Sequence, residues 1–322
     1  MNQNIDLFKT QLCKSKEFIL ITGAGTSNDF NFPEWKKLKL KLAKFLPEKL
    51  KEELLVYDGT LDDFAESLYN EERDNELDQL KNKLAKLFCE IEKNCTSDLL
   101  FSDKSWLFHY SKTILEYNNI QKVTIATLNY DRTIEAFHDK HYYNTQKIEN
   151  KNLSRSQIRD KNRLLKKEKR VEISKLHGSI YPFQNSQETK DYFSVSEQGE
   201  QNQNYSMTSS SPTEFGKYNN KQNERNKCRF QFVFESHPEN IVYDSTNKSL
   251  LRSNNERTIL ISGISVIGLG SSKLKLPTRE KIFITTNSDF NEIEKFKALN
   301  FIQLAKSNEE YLSLKDLFSS LE

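Results

Sequence analysis

Three short apolar runs, each ending directly at a glycine or polar motif, constrain the fold of this chain most strongly. The runs are Phe18–Ile21, Val123–Thr127 and Val171–Leu176. Compact apolar runs of this length, bounded by turn residues, are typical of buried strands in parallel sheets. Because the carboxyl ends of parallel strands share one edge of the sheet, we expect the three motifs that follow these runs to meet in space.

The segments between the runs have helical periodicity. Residues 4–14 predict an opening helix, and residues 33–45 predict a second one that begins at a proline, which a first helical turn tolerates. Apolar residues recur at three- and four-residue intervals through residues 48–118, with Glu and Lys on the other faces. The order of strand, long helical connection, strand, helix and strand predicts an α/β fold. We expect a Rossmann-like, doubly wound parallel sheet in which residues 48–118 are an inserted helical module.

Two polar segments interrupt the pattern after the third run. Residues 151–170 are rich in Lys and Arg and predict a solvated helix or a basic face on an insertion. Residues 185–227 predict a flexible polar insertion or a polar hairpin, because so few apolar groups cannot offset the entropy of ordering. Strand patterns return at Arg229–Phe234, Thr258–Ile261, Ser265–Leu269 and Lys281–Thr285. Residues 291–299 and 308–321 predict closing helices.

Composition excludes several classes of protein. The 322 residues are long enough for one large domain or two small ones, are 36% hydrophobic, and carry a net charge of only +2, which lacks the strong basic balance of a dedicated nucleic-acid binder. The longest apolar stretch, Ile259–Leu269, is broken by Gly and Ser and is shorter than the roughly 20 residues of a membrane span. The first apolar run leads into a glycine turn rather than a signal-peptide pattern. The expectation is a cytoplasmic protein that does not contact a membrane.

Cysteine spacing argues against a structural metal site. The four cysteines are Cys13, Cys89, Cys95 and Cys228, and no two of them form a C-x-x-C pair. A structural zinc site needs four thiolate or imidazole ligands in close pairs. We therefore predict free thiols in a reducing compartment and no zinc.

The first motif, Gly23-Ala24-Gly25-Thr26-Ser27, follows the first strand directly. Small residues at such a turn let the backbone approach a pyrophosphate and aim N–H groups at it. The G-x-G-x-x-G fingerprint is incomplete, because position 28 is Asn. Taken alone, the motif fits a phosphate-binding turn or a plain structural turn.

The other two motifs place polar side chains just past the second and third strands. Asn129 offers an amide that does not change charge near neutral pH, which suits holding a water or a hydroxyl. His177, followed by Gly178, has the chemistry of a general base near neutral pH. Structural alternatives stay open: Asn129 as a turn residue, Asp131 as a helix N-cap, and His177 as a core or loop histidine.

Together these motifs resemble those of the sirtuin-like (SIR2) superfamily. Its members carry a Gly-Ala-Gly-x-Ser turn, a T-x-N-x-D loop and an H-G pair, which correspond here to Gly23–Ser27, Thr127–Asp131 and His177-Gly178. The stretch Gly270–Pro277 is similar to the family's G-T-S-x-x-V-x-P segment, which contacts the adenosine side of the cofactor. The resemblance spans roughly residues 15–290 and implies a single SIR2-like domain over residues 1–322.

Two departures from the deacylase sirtuins point to one branch of that superfamily. After the first motif Pro33 is retained, but the Phe-Arg of the deacylases is absent and Trp35 follows instead. This Pro-x-Trp pattern is similar to the SIR2-like proteins of bacterial antiphage defence. The deacylases also carry a four-cysteine zinc module, where this chain has only Cys228. Both departures favour NAD hydrolysis over lysine deacylation.

The resemblance implies an NAD+ nucleosidase (NAD glycohydrolase) that cleaves the nicotinamide–ribose bond and releases nicotinamide and ADP-ribose. Asn129 would position water or the ribose hydroxyls, His177 would act as the base, and Asp131 would orient groups or stabilise charge. The implied NAD-binding residues are Gly23, Ala24, Gly25, Thr26, Ser27, Pro33, Trp35, Thr127, Gly270, Ser271 and Ser272. NAD is the substrate in this account, and no zinc takes part.

Two other functions fit the same motifs. One is a zinc-free NAD-dependent protein deacylase or ADP-ribosyltransferase, and the other is a noncatalytic NAD- or ADP-ribose-binding subunit of a larger complex. The resemblance also implies an NAD-depleting effector of antiphage defence, whose activity homo-oligomerisation or a partner protein controls. The basic residues 151–170 leave contact with nucleic acid open as a less favoured alternative to a solvated face.

Overall fold

A seven-stranded parallel sheet forms the centre of this computed structural model. The structure describes residues 3–92, 95, 97–138, 170–181, 205–207, 229–232, 234, 241–252, 256–287, 290, 294–306 and 311–322. The strands of the sheet are β1 (Glu17–Thr22), β2 (Lys122–Thr127), β3 (Arg170–Lys175), β5 (Tyr205–Met207), β7 (Arg257–Ser262), β8 (Lys281–Ile284) and β9 (Asn300–Gln303). A separate antiparallel pair joins β4 (Gly178–Tyr181) to β6 (Arg229–Phe232).

The strand order defines a Rossmann-like arrangement. The sheet runs β5-β3-β2-β1-β7-β8-β9, and every pair in it is parallel. Without the short edge strand β5, the remaining strands follow the order 3-2-1-4-5-6 along the chain, the order of the doubly wound dinucleotide-binding folds. The predicted α/β parallel sheet is thereby confirmed. The order reverses between β1 and β7, so a ligand crevice is expected beyond the carboxyl ends of these two strands.

Helices fill the connections between the strands. They are α1 (Gln3–Lys14), α2 (Trp35–Ala43), α3 (Glu48–Val56), α4 (Leu61–Asn70), α5 (Asp74–Glu92), α6 (Ser97–Leu100), α7 (Trp106–Tyr110), α8 (Ile241–Leu251), α9 (Val266–Ser271) and α10 (Leu314–Ser319). Short 3-10 helices cover Ala24–Phe30 and Glu294–Phe296, and a π-helical turn covers Ser111–Leu115. The predicted helical content of residues 48–118 is confirmed, whereas their standing as an inserted module stays a prediction. No helix among the described residues is both long and apolar enough to cross a membrane.

Both faces of the sheet are buried, which explains why β1 reads as a continuous apolar run. Phe18 and Leu20 belong to the larger hydrophobic cluster, while Ile19 and Ile21 belong to the cluster on the other face. All four side chains are fully buried. A strand covered on both sides needs apolar residues at every position and therefore loses the alternation of a half-exposed strand.

The prediction of a strand at Ser265–Leu269 was wrong. These residues lie at the start of α9, where the Ser265 side chain caps the helix by accepting a hydrogen bond from the Gly268 N–H at 3.0 Å. A short apolar run does not distinguish a buried strand from a buried helix, and here the serine cap decides the outcome.

The C-terminal predictions also differ from the structure. Arg229–Phe232 forms a strand, but it pairs with β4 outside the main sheet. The strand β9 was not predicted, and it occupies residues directly after the predicted helix 291–299. The final helix is confined to Leu314–Ser319, because Ser313 caps it and starts it late. The predictions for residues 151–169 and for most of 185–227 lie outside the described residues.

Candidate active site

Two glycine-containing loops, one after β1 and one after β7, pack on each other at the point where the strand order reverses. The Gly23 N–H donates to the Ser262 carbonyl and the Gly25 N–H donates to the Gly263 carbonyl, both at 3.0 Å. A Cβ atom on Gly23 would lie 2.6 Å from the Gly263 oxygen, and one on Gly25 would lie 2.9 Å from the Gly263 Cα. Because the Thr26 N–H also bonds internally, to the Gly23 carbonyl, these three N–H groups are not available to a phosphate. The glycines serve close loop packing, and the turn borders the crevice with little side-chain bulk.

Gly263 is the glycine whose replacement should disturb this crevice most. Its φ is +65°, and an added Cβ would lie 2.6 Å from the backbone nitrogen of Thr26. Gly263→Ala is therefore expected to lower the free energy of unfolding by roughly 1–3 kcal/mol, through left-handed strain and displacement of the Gly23 loop. Urea unfolding measures this loss. Gly268→Ala, in helix α9, is the matched control: Gly268 does not have a positive φ, and an added Cβ would lie no closer than 3.2 Å to a neighbouring atom, so the unfolding free energy should change far less. Equal losses in the two variants would contradict the close packing of the loops.

The Asn129 amide is held by the hydroxyls of the first motif. Its Nδ2 donates to Thr26 Oγ1 at 3.1 Å and to Ser27 Oγ at 2.8 Å. Both hydroxyl protons are already committed, since Thr26 donates to the Gly23 carbonyl at 2.9 Å and Ser27 donates to Asp131 Oδ2 at 2.7 Å. The hydroxyls can therefore only accept from Asn129, which fixes the orientation of the amide. Its Oδ1 is buried and has no hydrogen-bond partner among the described residues.

Asp131 accepts hydrogen bonds from protein donors at both of its carboxylate oxygens. Its Oδ1 accepts from the backbone N–H of Thr133 at 3.1 Å and from the Thr133 hydroxyl, while its Oδ2 accepts from Ser27. The backbone of residues 133–138 is helical, so Asp131 lies where a carboxylate caps the helix start. Asp131 thus joins the first motif to the second and holds Ser27 beneath Asn129. Asp131 therefore positions other residues of the site, since both of its carboxylate oxygens already accept hydrogen bonds from the protein.

A buried ion pair stabilises the loop that carries Asn129 and Asp131. Lys175 Nζ lies 3.2 Å from Glu135 Oε1, with side-chain exposures of 1% and 2%, and it also donates to the backbone carbonyl of Asp131. Burial raises the pKa of the Glu135 carboxyl, and the Lys175 ammonium opposes that rise. Neither residue was predicted to belong to the site. A lysine at the last position of an otherwise buried strand is the sequence signal that could have revealed the pair.

His177 is paired with a carboxylate from the helical segment. Its Nδ1 lies 2.7 Å from Asp62 Oδ2, and the same oxygen accepts from the Tyr130 hydroxyl at 2.7 Å. Asp62 is the second residue of α4, and Oδ1 of its carboxylate is buried with no hydrogen-bond partner among the described residues. Asp62 was not predicted, because nothing in a regular helical pattern marks a residue that contacts a strand end more than 100 positions away.

The sheet register brings the Asn129 and His177 loops to the same edge. Thr127 and Lys175 are partners in the β2–β3 register, and each site residue lies two positions past one of them. The Thr127 hydroxyl accepts from the Asn129 N–H at 3.0 Å, which turns the chain into the loop. Tyr130 links the two loops, since its hydroxyl bonds the carboxylate that holds His177.

A row of polar residues lies beneath these loops. The last register row of the sheet contains Lys175, Thr127, Thr22 and Ser262, and the Ser262 hydroxyl lies 2.9 Å from that of Thr285. All five side chains are buried, and Thr22 Oγ1 has no partner among the described residues. A polar residue at the end of each strand is the pattern that predicts such a row.

The remaining predicted binding residues divide into two groups. Pro33 and Trp35 lie at the start of α2, a few residues after the 3-10 helix of the first motif. Gly270, Ser271 and Ser272 lie at the C-terminal end of α9, one short helix away from the end of β7. Lys295 Nζ donates to the carbonyls of Gly270 at 2.5 Å and of Ser272 at 2.9 Å, and burial lowers the pKa of this lysine. The residues directly after β7 are instead Gly263, Ile264 and Ser265.

Comparisons with known proteins add no family assignment. A scan against models of protein families and a search of curated proteins both find no match. Among the described residues, no three or more His, Cys, Asp or Glu side chains form a group that could hold a metal ion, and neither Cys13 nor Cys95 forms a disulfide. Cys228 lies outside the described residues, so the prediction of no zinc stays a prediction.

Proposed function

We propose that this protein is an NAD+ hydrolase that cleaves the nicotinamide–ribose bond. Two groups at neighbouring strand ends carry the proposal: Asn129 Oδ1, which has no hydrogen-bond partner among the described residues, and the imidazole of His177 held by Asp62. Both follow strands whose carboxyl ends share the edge of the sheet at which this strand order predicts a ligand crevice. An acceptor of fixed orientation and a candidate base are the parts that hydrolysis at a ribose carbon requires.

The proposed chemistry balances with water as the nucleophile. The bond between the ribose C1′ and the nicotinamide nitrogen breaks, and nicotinamide leaves with the electron pair. Positive, oxocarbenium-like character develops at C1′, and the water oxygen forms the new bond there. Asn129 Oδ1 accepts a hydrogen bond from this water or from a ribose hydroxyl, and His177 accepts the proton that the water releases. General base catalysis of this kind contributes about 10² to 10⁴ in rate.

The resemblance to SIR2-like proteins also supports a proposal for the role of this protein in the cell. The helices between β1 and β2 would be the sirtuin-like inserted module, and the protein would deplete NAD as an effector of bacterial antiphage defence. Oligomerisation or a partner protein would then set its activity. The resemblance implies that Gly270–Ser272 contacts the adenosine side of NAD. The segment Gly263-Ile264-Ser265, which directly follows β7, has the same Gly-x-Ser spacing.

Incubation of the purified protein with NAD, alone and with an acyl-lysine peptide, separates the candidate functions. Hydrolysis predicts equal nicotinamide and ADP-ribose without the peptide, and no change on adding it. Nicotinamide that appears only with the peptide would favour the deacylase or transferase. Binding of ADP-ribose without turnover over the whole range of protein concentration would favour the noncatalytic subunit. Absence of both binding and turnover would contradict any NAD-directed function.

A further inference from the structure

Asp62 makes contacts that its helical position does not require. It lies in the first turn of α4, yet that turn is capped by its neighbours, with Thr60 and Asp63 forming a reciprocal capping box. The side chain of Asp62 instead bonds His177 and Tyr130. Side-chain exposures of 17% for Asp62 and 13% for His177 show that this contact is largely shielded from water.

We propose that Asp62 is the positioning residue of the active site, fixing both the tautomer and the orientation of the His177 ring. An ionised carboxylate only accepts hydrogen bonds, so Nδ1 of a neutral His177 must carry the proton at 2.7 Å from Asp62. The Tyr130 hydroxyl donates to the same oxygen and fixes the carboxylate in turn. Nε2 is then the unprotonated nitrogen of the ring.

The role of this pair in catalysis rests on the proposed NAD hydrolysis. A neutral imidazole with an unprotonated Nε2 takes the proton from the attacking water or the ribose hydroxyl, and the Asp62 carboxylate stabilises the imidazolium that forms. The proton moves to Nε2 and no proton moves to Asp62, as in other carboxylate–histidine pairs. Asp131 does not fill this place, because Ser27 and Thr133 occupy its oxygens.

Adjacent carboxylates on one helix give a matched pair of variants. Asp62→Asn removes the acceptor charge next to His177, whereas Asp63→Asn weakens only the capping box of α4. The expected result for Asp62→Asn is a fall in kcat of about 10- to 1000-fold with KM changed less than about threefold, since tautomer control acts on the proton transfer. Asp62→Glu, which keeps a carboxylate, should recover part of kcat. Asp63→Asn should keep kcat near the wild-type value although its thermal stability falls.

Nitrogen-15 NMR of the histidine rings tests the same inference without turnover. In wild-type protein, the long-range ¹H–¹⁵N correlations of neutral His177, assigned with His177→Ala, should show a protonated Nδ1 and an unprotonated Nε2. The opposite tautomer, or an unchanged kcat in a folded Asp62→Asn variant, would overturn the inference. If the protein does not hydrolyse NAD, the proposed function is wrong, and the NMR spectrum of His177 still confirms or contradicts the tautomer that we assign. If Asp62→Asn does not fold, the wild-type spectrum alone decides.

Discussion

Replacing Asn129 by alanine is expected to lower NAD cleavage by about 10² to 10³ in kcat, the range found when one oriented polar group is removed from an active site. The substitution deletes the amide oxygen that we assign to the attacking water or a ribose hydroxyl, and to which no residue in the described part of the chain donates a hydrogen bond. The Thr26 and Ser27 hydroxyls keep their own acceptors, the Gly23 carbonyl and Asp131, so the loop should persist. Chromatographic measurement of nicotinamide release against NAD concentration gives kcat and KM for each variant.

Asn300→Ala is the control for this experiment. Asn300 begins β9 at the amino end of the sheet and is exposed, so it lies at the opposite edge from the crevice. It should keep wild-type kcat and KM. A folded Asn129→Ala variant that cleaves NAD as fast as Asn300→Ala would remove the role assigned to the amide oxygen.

Lys175→Met is expected to cause the largest loss of stability, about 3–5 kcal/mol, because it leaves the Glu135 carboxylate buried without its partner. The lysine also donates to the Asp131 carbonyl, so the loop that carries Asn129 loses a support. Urea unfolding near neutral pH measures the change. At that pH the unpaired carboxylate must either stay charged in an apolar site or take up a proton, and both cost free energy.

The double variant Lys175→Met/Glu135→Leu separates the charge from the packing. Removing both partners eliminates the buried charge, so much of the lost stability should return. A single Lys175→Met variant as stable as the wild type would show that the pair does not support the loop. A double variant that is no more stable than the single one would assign the loss to packing instead of charge.

Local patterns predicted the elements that burial dictates. The strands β1, β2 and β3 were predicted because parallel strands buried on both faces need continuous apolar runs, as at Phe18–Ile21. The places of Asn129 and His177 followed from the shared edge of parallel strands. By contrast, the helix α9 was mistaken for a strand because its apolar run is short, and β9 was missed because Asn300 and Gln303 flank only two apolar residues.

Long-range partners could not be predicted from one sequence. Asp62 reaches His177 only because the helices after β1 fold back over the carboxyl edge of the sheet, and no local pattern encodes that return. The pair of Lys175 and Glu135 likewise joins a strand to a helix that begins two residues after Asp131. The glycines of the first motif predicted a turn after β1. They did not predict that three N–H groups of this motif donate hydrogen bonds within the protein.

The most direct test of the central claim is nicotinamide release from NAD by purified wild-type protein and by His177→Ala, measured over a wide range of protein concentrations. The account predicts release by the wild type, with ADP-ribose in equal amount, and a loss of about 10² to 10⁴ in the folded variant. Full NAD cleavage by folded His177→Ala would contradict the account, because the base that the structure pairs with Asp62 would then take no part in the reaction.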